Sequence, residues 1–415
     1  MTNKEYILHN READIRSLAL RKVPEGVDAL WCLRQIEGYQ LAKKKLPTWA
    51  QADGIIYPPR LSMEQCSSEI TAQYKRTLAT RLMQGLSFDT FIDLTGGFGV
   101  DFSYMAKGFN HAIYVEQQEV LCDAVRHNMP ILGLQNVTTV NTDSETIIDN
   151  IDHADIIYID PARRDNTGKK TIAIEDCTPD ISRLQHKILA KTRYAIVKLS
   201  PMLDITQALR TLKNVCEVHI VSVKGECKEL ICVLSASSDS ALTTYHCVNL
   251  STPDAPFVCT NRGGITASIL SPDISIKGML LFEPNASIQK AGVQDTFATQ
   301  YGLHKLHPMS NLFVSDDASM LCPTADSSLK GLPPARIFRI IDVGDFSKNS
   351  LKALLQDCDK GNITIRNFPS TVADLRKRLR LKEGGDIYFF ATTIQNGKHL
   401  LIKCKNFTNR NNATT

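Results

Sequence analysis

Four short stretches of this sequence place acidic or glycine-rich residues where apolar runs end, the pattern needed to hold a polar ligand. The first is Phe91-Ile92-Asp93-Leu94-Thr95-Gly96-Gly97-Phe98-Gly99-Val100-Asp101, an apolar strand pattern that breaks into a glycine turn and then a helix. The second run, His111 to Val115, ends in Glu116, and the third, Val137 to Asn141, is followed by Asp143. The fourth, Ala154 to Ile159, ends in Asp160-Pro161-Ala162-Arg163-Arg164. Gly96, Gly97 and Gly99 lack a Cβ, so the backbone can turn tightly and approach a ligand closely. One βαβ unit further on, an acidic residue such as Glu116 can accept hydrogen bonds from both hydroxyls of a ribose.

Together these positions fit a nucleoside sulfonium, S-adenosylmethionine. Asp93, Thr95, Gly96, Gly97 and Gly99 would surround its methionyl part, with Asp93 suited to a water or the amino group. Glu116 would take the ribose diol and Asp143 the adenine amino group. Asp160 lies where donor and acceptor should meet, because ligands of open α/β sheets bind outside the carboxyl ends of the strands. A dinucleotide fingerprint G-x-G-x-x-G is the nearest rival. It fails here because Phe102 stands where the third glycine is required.

The elements that must position these residues follow from the pattern. The apolar run Tyr194 to Leu199 gives a fifth strand, and Val218 to Val223 and Leu230 to Leu234 give two more. The turn around Gly225-Glu226 is too short for a helical crossover, so the last two should pair antiparallel. Five strands alternating with helices and closed by such a hairpin predict an α/β fold, a seven-stranded doubly wound, Rossmann-like sheet. It is preceded by a helical N-terminal region and followed by small C-terminal α+β domains. The expected divisions are residues 1–85 helical, 86–236 the methyltransferase domain, 243–335 a small linking segment and 336–410 an α+β domain. Within the N-terminal region, the run from Glu64 to Arg76 reads as one polar helix, either lying across the mouth of the pocket or packed on the sheet.

Composition narrows the class. A hydrophobic fraction of 43% and a charged fraction of 22% are those of an ordinary globular protein. No apolar run approaches the roughly 18 residues of a membrane helix, and residues 1–16 lack a signal-peptide core. The twelve cysteines are scattered, with no C-x-x-C pair and no zinc-type spacing, so no metal and a reducing cytoplasm are expected. The net charge of +4 is unevenly spread. Residues 336–410 hold 15 Lys/Arg against 7 Asp/Glu, a surplus of +8 that leaves the remainder net negative. Arg376, Lys377, Arg378 and Arg380 crowd one predicted helix, which suits phosphate contacts that position a nucleic acid without reading its sequence. A solvated helix face is the plainer alternative.

Three stretches carry a family resemblance: Glu64-Gln65-Cys66-Ser67-Ser68-Glu69, Asp160-Pro161-Ala162-Arg163-Arg164-Asp165 and Val221-Ser222-Val223-Lys224-Gly225-Glu226-Cys227-Lys228-Glu229. With Phe282-Glu283-Pro284-Asn285-Ala286-Ser287 and Lys290-Ala291-Gly292, they resemble bacterial class I S-adenosylmethionine-dependent methyltransferases with a C-terminal THUMP-like domain and a ferredoxin-like segment before it. THUMP domains proper accompany RNA-modifying enzymes, so the resemblance implies an RNA substrate by analogy. The sequence departs from the broader pattern at two places. Thr95 replaces the first glycine of D-x-G-x-G-x-G. No aromatic residue follows Asp160-Pro161, where amino-group methyltransferases often carry Asp/Asn-Pro-Pro-Tyr/Phe.

Methyl transfer from a sulfonium is an in-line displacement in which the protein supplies proximity, orientation and a proton acceptor. Asp160 is the expected orienting residue. Pro161, Arg163 and Arg164 are expected substrate contacts, as arginine can stack on a base or grip a phosphate. Neither the fourth nor the fifth strand end holds a cysteine, which disfavours carbon methylation of pyrimidines. A protein or small-molecule substrate is the alternative, with the C-terminal domain used for association. The sequence leaves the oligomeric state open.

Overall fold

The computed structural model describes residues 1–162, 174–237, 243–253, 255–260, 264–317, 332–356 and 358–407. They form two compact units, Met1–Glu217 with Leu230–Ala241, and Val218–Glu229 with Leu242–Thr415.

The first unit opens with six helices: α1 (Asn3–Asn10), α2 (Ile15–Ala19), α3 (Ala29–Lys45), α4 (Pro47–Gln51), α5 (Arg60–Gln65) and α6 (Glu69–Leu82). Side chains of Thr2, Asp14 and Asp28 accept first-turn amides of α1, α2 and α3, satisfying donors the helices cannot pair internally. Tyr6, Leu18, Cys32 and Ile36 form their shared apolar cluster. The polar run from Glu64 to Arg76 is two helices rather than one. The backbone is extended at Cys66 and Ser68, and that break directs Ser67 inward, where it is buried. Helix α6 buries Glu69, Thr71, Ala72, Lys75, Leu78, Ala79 and Leu82, a continuous stripe at helical spacing.

Strands and helices then alternate: β1 (Thr90–Asp93), α7 (Val100–Met105), β2 (His111–Glu116), α8 (Glu119–Ile131), β3 (Val137–Asn141), α9 (Ser144–Ile148), β4 (Ala154–Ile159), α10 (Ile181–Leu189), β5 (Thr192–Leu199), α11 (Ile205–Thr211), β6 (Val215–Val223) and β7 (Glu226–Leu234). Their order across the sheet is β3-β2-β1-β4-β5-β7-β6. Strands β1 to β5 pair parallel, and β7 runs antiparallel to β5, with Lys198 opposite Ile231. Every residue of the central strand β4 is buried, as expected of a parallel strand covered on both faces. The chain doubles back between β3 and β4, so β1 and β4 lie side by side with their following loops leaving in opposite directions. That switch point opens a crevice beyond their carboxyl ends.

In the second unit β8 (Thr244–Asn249) follows the outer part of β6 in sheet order, and β9 (Phe257–Cys259) pairs antiparallel with β8. His219 and His246 stack there with ring centroids 4.4 Å apart. The remaining elements are β10 (Leu280–Pro284), α12 (Ala286–Ala291), α13 (Gln294–Gln300), β11 (His304–Lys305), β12 (Phe313–Ser315), β13 (Ala335–Gly344), α14 (Lys348–Leu354), β14 (Asn362–Arg366), α15 (Val372–Leu379), β15 (Ile387–Thr393) and β16 (His399–Asn406). Their sheet runs β11-β12-β10-β13-β16-β15-β14. Alternation along β15 and β16 sends Phe390, Leu400 and Ile402 into one core and Phe389, Ala391 and Leu401 into another, the latter covered by Leu354, Leu375 and Leu379 of α14 and α15. Helices α12 and α13 are separate because Gly292 takes a left-handed conformation (φ 73°) that ends α12. Among the described residues, no helix is long and apolar enough to cross a membrane.

One glycine sets the fit of the first unit. A Cβ at Gly96 would lie 2.0 Å from a ring carbon of Tyr114 on β2. Gly96→Ala should therefore force the turn or the ring aside and cost about 1–3 kcal/mol, the scale of overpacking. Thermal unfolding of the variant measures it, and an unchanged midpoint would contradict this packing.

Candidate active site

The glycine turn is fixed by its neighbours on both sides. Asp93, the last residue of β1, is buried, and its Oδ1 accepts the amide of Thr95 at 2.9 Å. The Gly96 amide donates to the Val115 carbonyl at 2.9 Å, and the Tyr114 hydroxyl donates to the Gly97 carbonyl. Gly97 (φ 55°) and Gly99 (φ 80°) are left-handed, a region that other residues enter only at a cost, and Gly99 starts α7. Phe98, at the tip, packs under Trp49 and Tyr57 with ring centroids 4.8 and 6.4 Å away. The N-terminal helices are thus part of the wall that holds the turn.

Glu116 closes the turn from β2. Its Oε2 accepts the Gly97 amide and its Oε1 the Gln118 amide, both at 2.9 Å. The carboxylate is therefore held at the carboxyl end of the sheet, facing the turn, with further lone pairs to accept ligand hydroxyls. Asp143 has a structural role that its sequence position did not disclose. It is the N-cap of α9, accepting the Thr146 amide and hydroxyl, both at 2.7 Å. Those bonds hold its carboxyl below its ordinary value.

Asp160 is gripped at two points. Its backbone amide donates to the Thr95 hydroxyl at 2.7 Å, and its Oδ2 accepts a hydrogen bond from Lys198 of β5. Thr95, which replaces a glycine of the broader pattern, thus ties the glycine turn to the fourth-strand loop. The Asp160 side chain is 36% exposed and Lys198 13%, so the open side of the pair is the carboxylate. Burial raises the Asp160 carboxyl above its ordinary value against the pull of Lys198 and Lys75, and Asp101 adds to the rise. Asp93 is pushed well above the carboxylate range by burial, which its bond from Thr95 only partly offsets.

A second charged layer lies beside this one. Lys75 of α6 has a fully buried side chain and forms an ion pair with Asp101 Oδ1 at 2.9 Å. Asp101 Oδ2 accepts the hydroxyls of Ser67 and Tyr158, each at 2.7 Å, and Lys75 also donates to Ser67 at 3.0 Å. Burial pushes the Asp101 carboxyl up, but Lys75, Lys198 and the two hydroxyls outweigh it and hold it below its usual value. Sequence reasoning missed both lysines, although each left a signal. Lys75 falls on the apolar stripe of α6, and Lys198 interrupts the otherwise apolar run Ala195 to Leu199.

The expected substrate contacts are more dispersed. Pro161 is buried, and Ala162 is exposed and bonded through its backbone to Thr178. Arg163 and Arg164 lie outside the described residues. On α15, Arg376 donates to the Gly361 carbonyl at 3.4 Å, and Arg378 stacks over Phe346 and donates to its carbonyl at 3.0 Å. Those two arginines serve local structure, whereas Lys377 and Arg380 are exposed.

Residues 335–406 match the model of a THUMP domain-like family, and residues 280–320 that of a ferredoxin-like domain. No curated protein matches the sequence. Among solved structures, a "putative methyltransferase" from Porphyromonas gingivalis W83 is 30% identical, with 98% of each chain covered and a TM-score of 0.83. Matches to an rRNA methylase from Streptococcus thermophilus and to the Streptococcus mutans protein SMU.1697c in complex with SAH are each 12% identical. They cover 38–39% of this chain and 94–96% of the other, with TM-scores of 0.30. The sheet order, the turn geometry and the full-length relative agree: the chain belongs to the class I S-adenosylmethionine-dependent methyltransferases that carry a C-terminal THUMP-like domain.

Proposed function

We propose that this protein transfers the methyl group of S-adenosylmethionine to RNA, rRNA or tRNA. The observation that carries the methyltransferase part is the convergence of Asp93, Glu116 and Asp160 at the carboxyl ends of β1, β2 and β4 around the glycine turn. In this reading the turn from Asp93 to Gly99 receives the methionyl part, Glu116 the ribose and Asp143 the adenine edge. Asp160 orients the acceptor and takes its proton as the methyl–sulfur bond breaks. Pro161, Arg163 and Arg164 are the substrate contacts this reading expects from the sequence. The RNA part is supported by the THUMP-like match and by the basic surplus of residues 336–410.

Glu116 already accepts two amides, so the ribose hydroxyls meet a carboxylate held in place beforehand. Glu116→Ala should weaken S-adenosylmethionine binding by about 1–3 kcal/mol, the scale of hydrogen bonds to a charged group. Calorimetry reads this directly, and unaltered affinity would remove Glu116 from the ribose site. Asp160→Ala should leave that affinity nearly intact while lowering methyl transfer to RNA from a strain lacking the gene by about two to four orders of magnitude. Parallel loss of cofactor binding would move Asp160 into the cofactor shell.

For RNA, the exposed pair Lys377 and Arg380 is the informative target, because reversing Arg376 or Arg378 also disturbs local structure. Lys377→Glu with Arg380→Glu should weaken RNA retention on filters similarly across sequences and flatten its salt dependence, since phosphate contacts release counterions. Equal binding by wild type and variant at every salt concentration would favour a protein or small-molecule substrate.

A further inference from the structure

The lysine bonded to Asp160 carries an inference about the atom that is methylated. It rests on the RNA methyltransferase reading above and deepens it: we infer that the acceptor is a hydroxyl oxygen, the ribose 2′-hydroxyl of RNA, activated by Asp160 with Lys198 beside it.

The sign of the local charge separates the possible acceptors. When a neutral nitrogen attacks the sulfonium methyl, positive charge moves from sulfur to nitrogen, and nearby cations oppose that transfer. A hydroxyl behaves oppositely. It attacks as it loses its proton, so its oxygen is alkoxide-like at the transition state, and a fixed ammonium stabilises it. Lys198 is bonded to Asp160 itself, and Lys75 is a second ammonium within electrostatic reach. Lys198, near the end of β5 and bonded to the Asp160 carboxylate, is the cation placed for an oxygen nucleophile, whereas Lys75 is buried against Asp101.

The other acceptors lack what they need. No aromatic ring follows Pro161 to stack on a base and present its amine; exposed Ala162 stands there. The nearest thiol of the N-terminal loop, Cys66, donates to the Met63 carbonyl at 3.2 Å, and burial raises its pKa, so it is not poised as a thiolate for carbon methylation. Cys177 is buried, and β5 ends in Ser200-Pro201.

The step balances. The hydroxyl oxygen forms a bond to the methyl carbon while the carbon–sulfur bond breaks and its electron pair stays on sulfur. The hydroxyl proton passes to the Asp160 carboxylate and then to solvent. A sulfonium and a carboxylate become a neutral thioether and a carboxylic acid. Thr95 holds the Asp160 amide and Lys198 holds Oδ2, so the carboxylate keeps its orientation through the transfer. The charged groups facing Asp160 are Lys198 from β5, Lys75 from α6, Asp101 from α7 and Asp93 from β1. Its carboxyl must be ionised to accept the proton, so turnover rises with pH through its titration.

The test uses the full-length protein, S-adenosylmethionine tritiated in its methyl group and total RNA from a strain lacking the gene. After alkaline hydrolysis, a 2′-O-methyl ribose leaves an alkali-stable dinucleotide, whereas a methylated base is released in a mononucleotide. Label in alkali-stable dinucleotides is the expected result. Label in base-modified mononucleotides would overturn the hydroxyl inference and leave the RNA reading standing. Label in no RNA, with cofactor bound, would overturn both. Lys198→Met should lower transfer by about 100-fold or more at unchanged cofactor affinity. Its rising pH limb should move upward by about one to three pH units, as the carboxylate loses its main counter-charge. Lys198→Arg should restore part of the rate, and an unchanged rate and pH profile in Lys198→Met would sink the role of this lysine. The wild-type product assay decides the acceptor even if that variant fails to fold.

Discussion

Everything in the first unit depends on how three enclosed carboxylates are neutralised at the carboxyl ends of its strands. Burial favours the neutral form of Asp93, Asp101 and Asp160, and the charges of Asp101 and Asp160 add to it at Asp93, as that of Asp101 does at Asp160. Removing such charges from water costs several kcal/mol each unless they are paired and hydrogen-bonded. The chain answers with Lys75 and Lys198, with the hydroxyls of Ser67 and Tyr158, and with the backbone amide of Thr95. These partners come from α6, the loop before it, β4, β5 and the glycine turn. The elements therefore cannot shift independently without exposing an unpaired charge.

That requirement explains why the N-terminal helices belong to the site. Lys75 and Ser67 reach Asp101 on one side of the glycine turn, while Trp49 and Tyr57 cover Phe98 on the other. Asn128 of α8 adds a buried pair of hydrogen bonds with the backbone of Ile56, at 2.8 and 2.9 Å. Each is a long-range contact made by a polar or aromatic group whose loss would leave a void or an unsatisfied partner. The glycine turn is in this way clamped between the helical region and the sheet, and the same clamp fixes the position of Asp160.

Much of the fold was legible because its strands are short apolar runs bounded by turn residues. The ends of β2, β3 and β4 fall where the sequence changes from apolar to acidic, and the tight Gly225 turn disclosed the closing hairpin. Places that broke helices were harder. Cys66 to Ser68 and Gly292 interrupt patterns that otherwise continue, and an extended Cys66 has no local propensity to announce it. Residue positions were legible only where one side chain suffices. Glu116 could be placed by its spacing from the glycines, but the capping bonds of Asp143 depend on a helix of five residues that periodicity cannot resolve. Lys75, Asp101 and Lys198 matter through one another, and a pairing between residues 26 or more positions apart leaves no trace in any single window. Thr95 looked like a blemish in a glycine motif until its hydroxyl was seen to hold Asp160.

We propose that the Asp160–Lys198 and Lys75–Asp101 pairs set where the sulfonium methyl is presented. A crystal structure of the full-length protein with S-adenosylhomocysteine tests it most directly. The ribose hydroxyls should rest on Glu116, and the thioether sulfur should open toward the Asp160 carboxylate with the Asp160–Lys198 and Lys75–Asp101 pairs intact. A ligand whose sulfur turns away from Asp160, or whose binding breaks either ion pair, would contradict it.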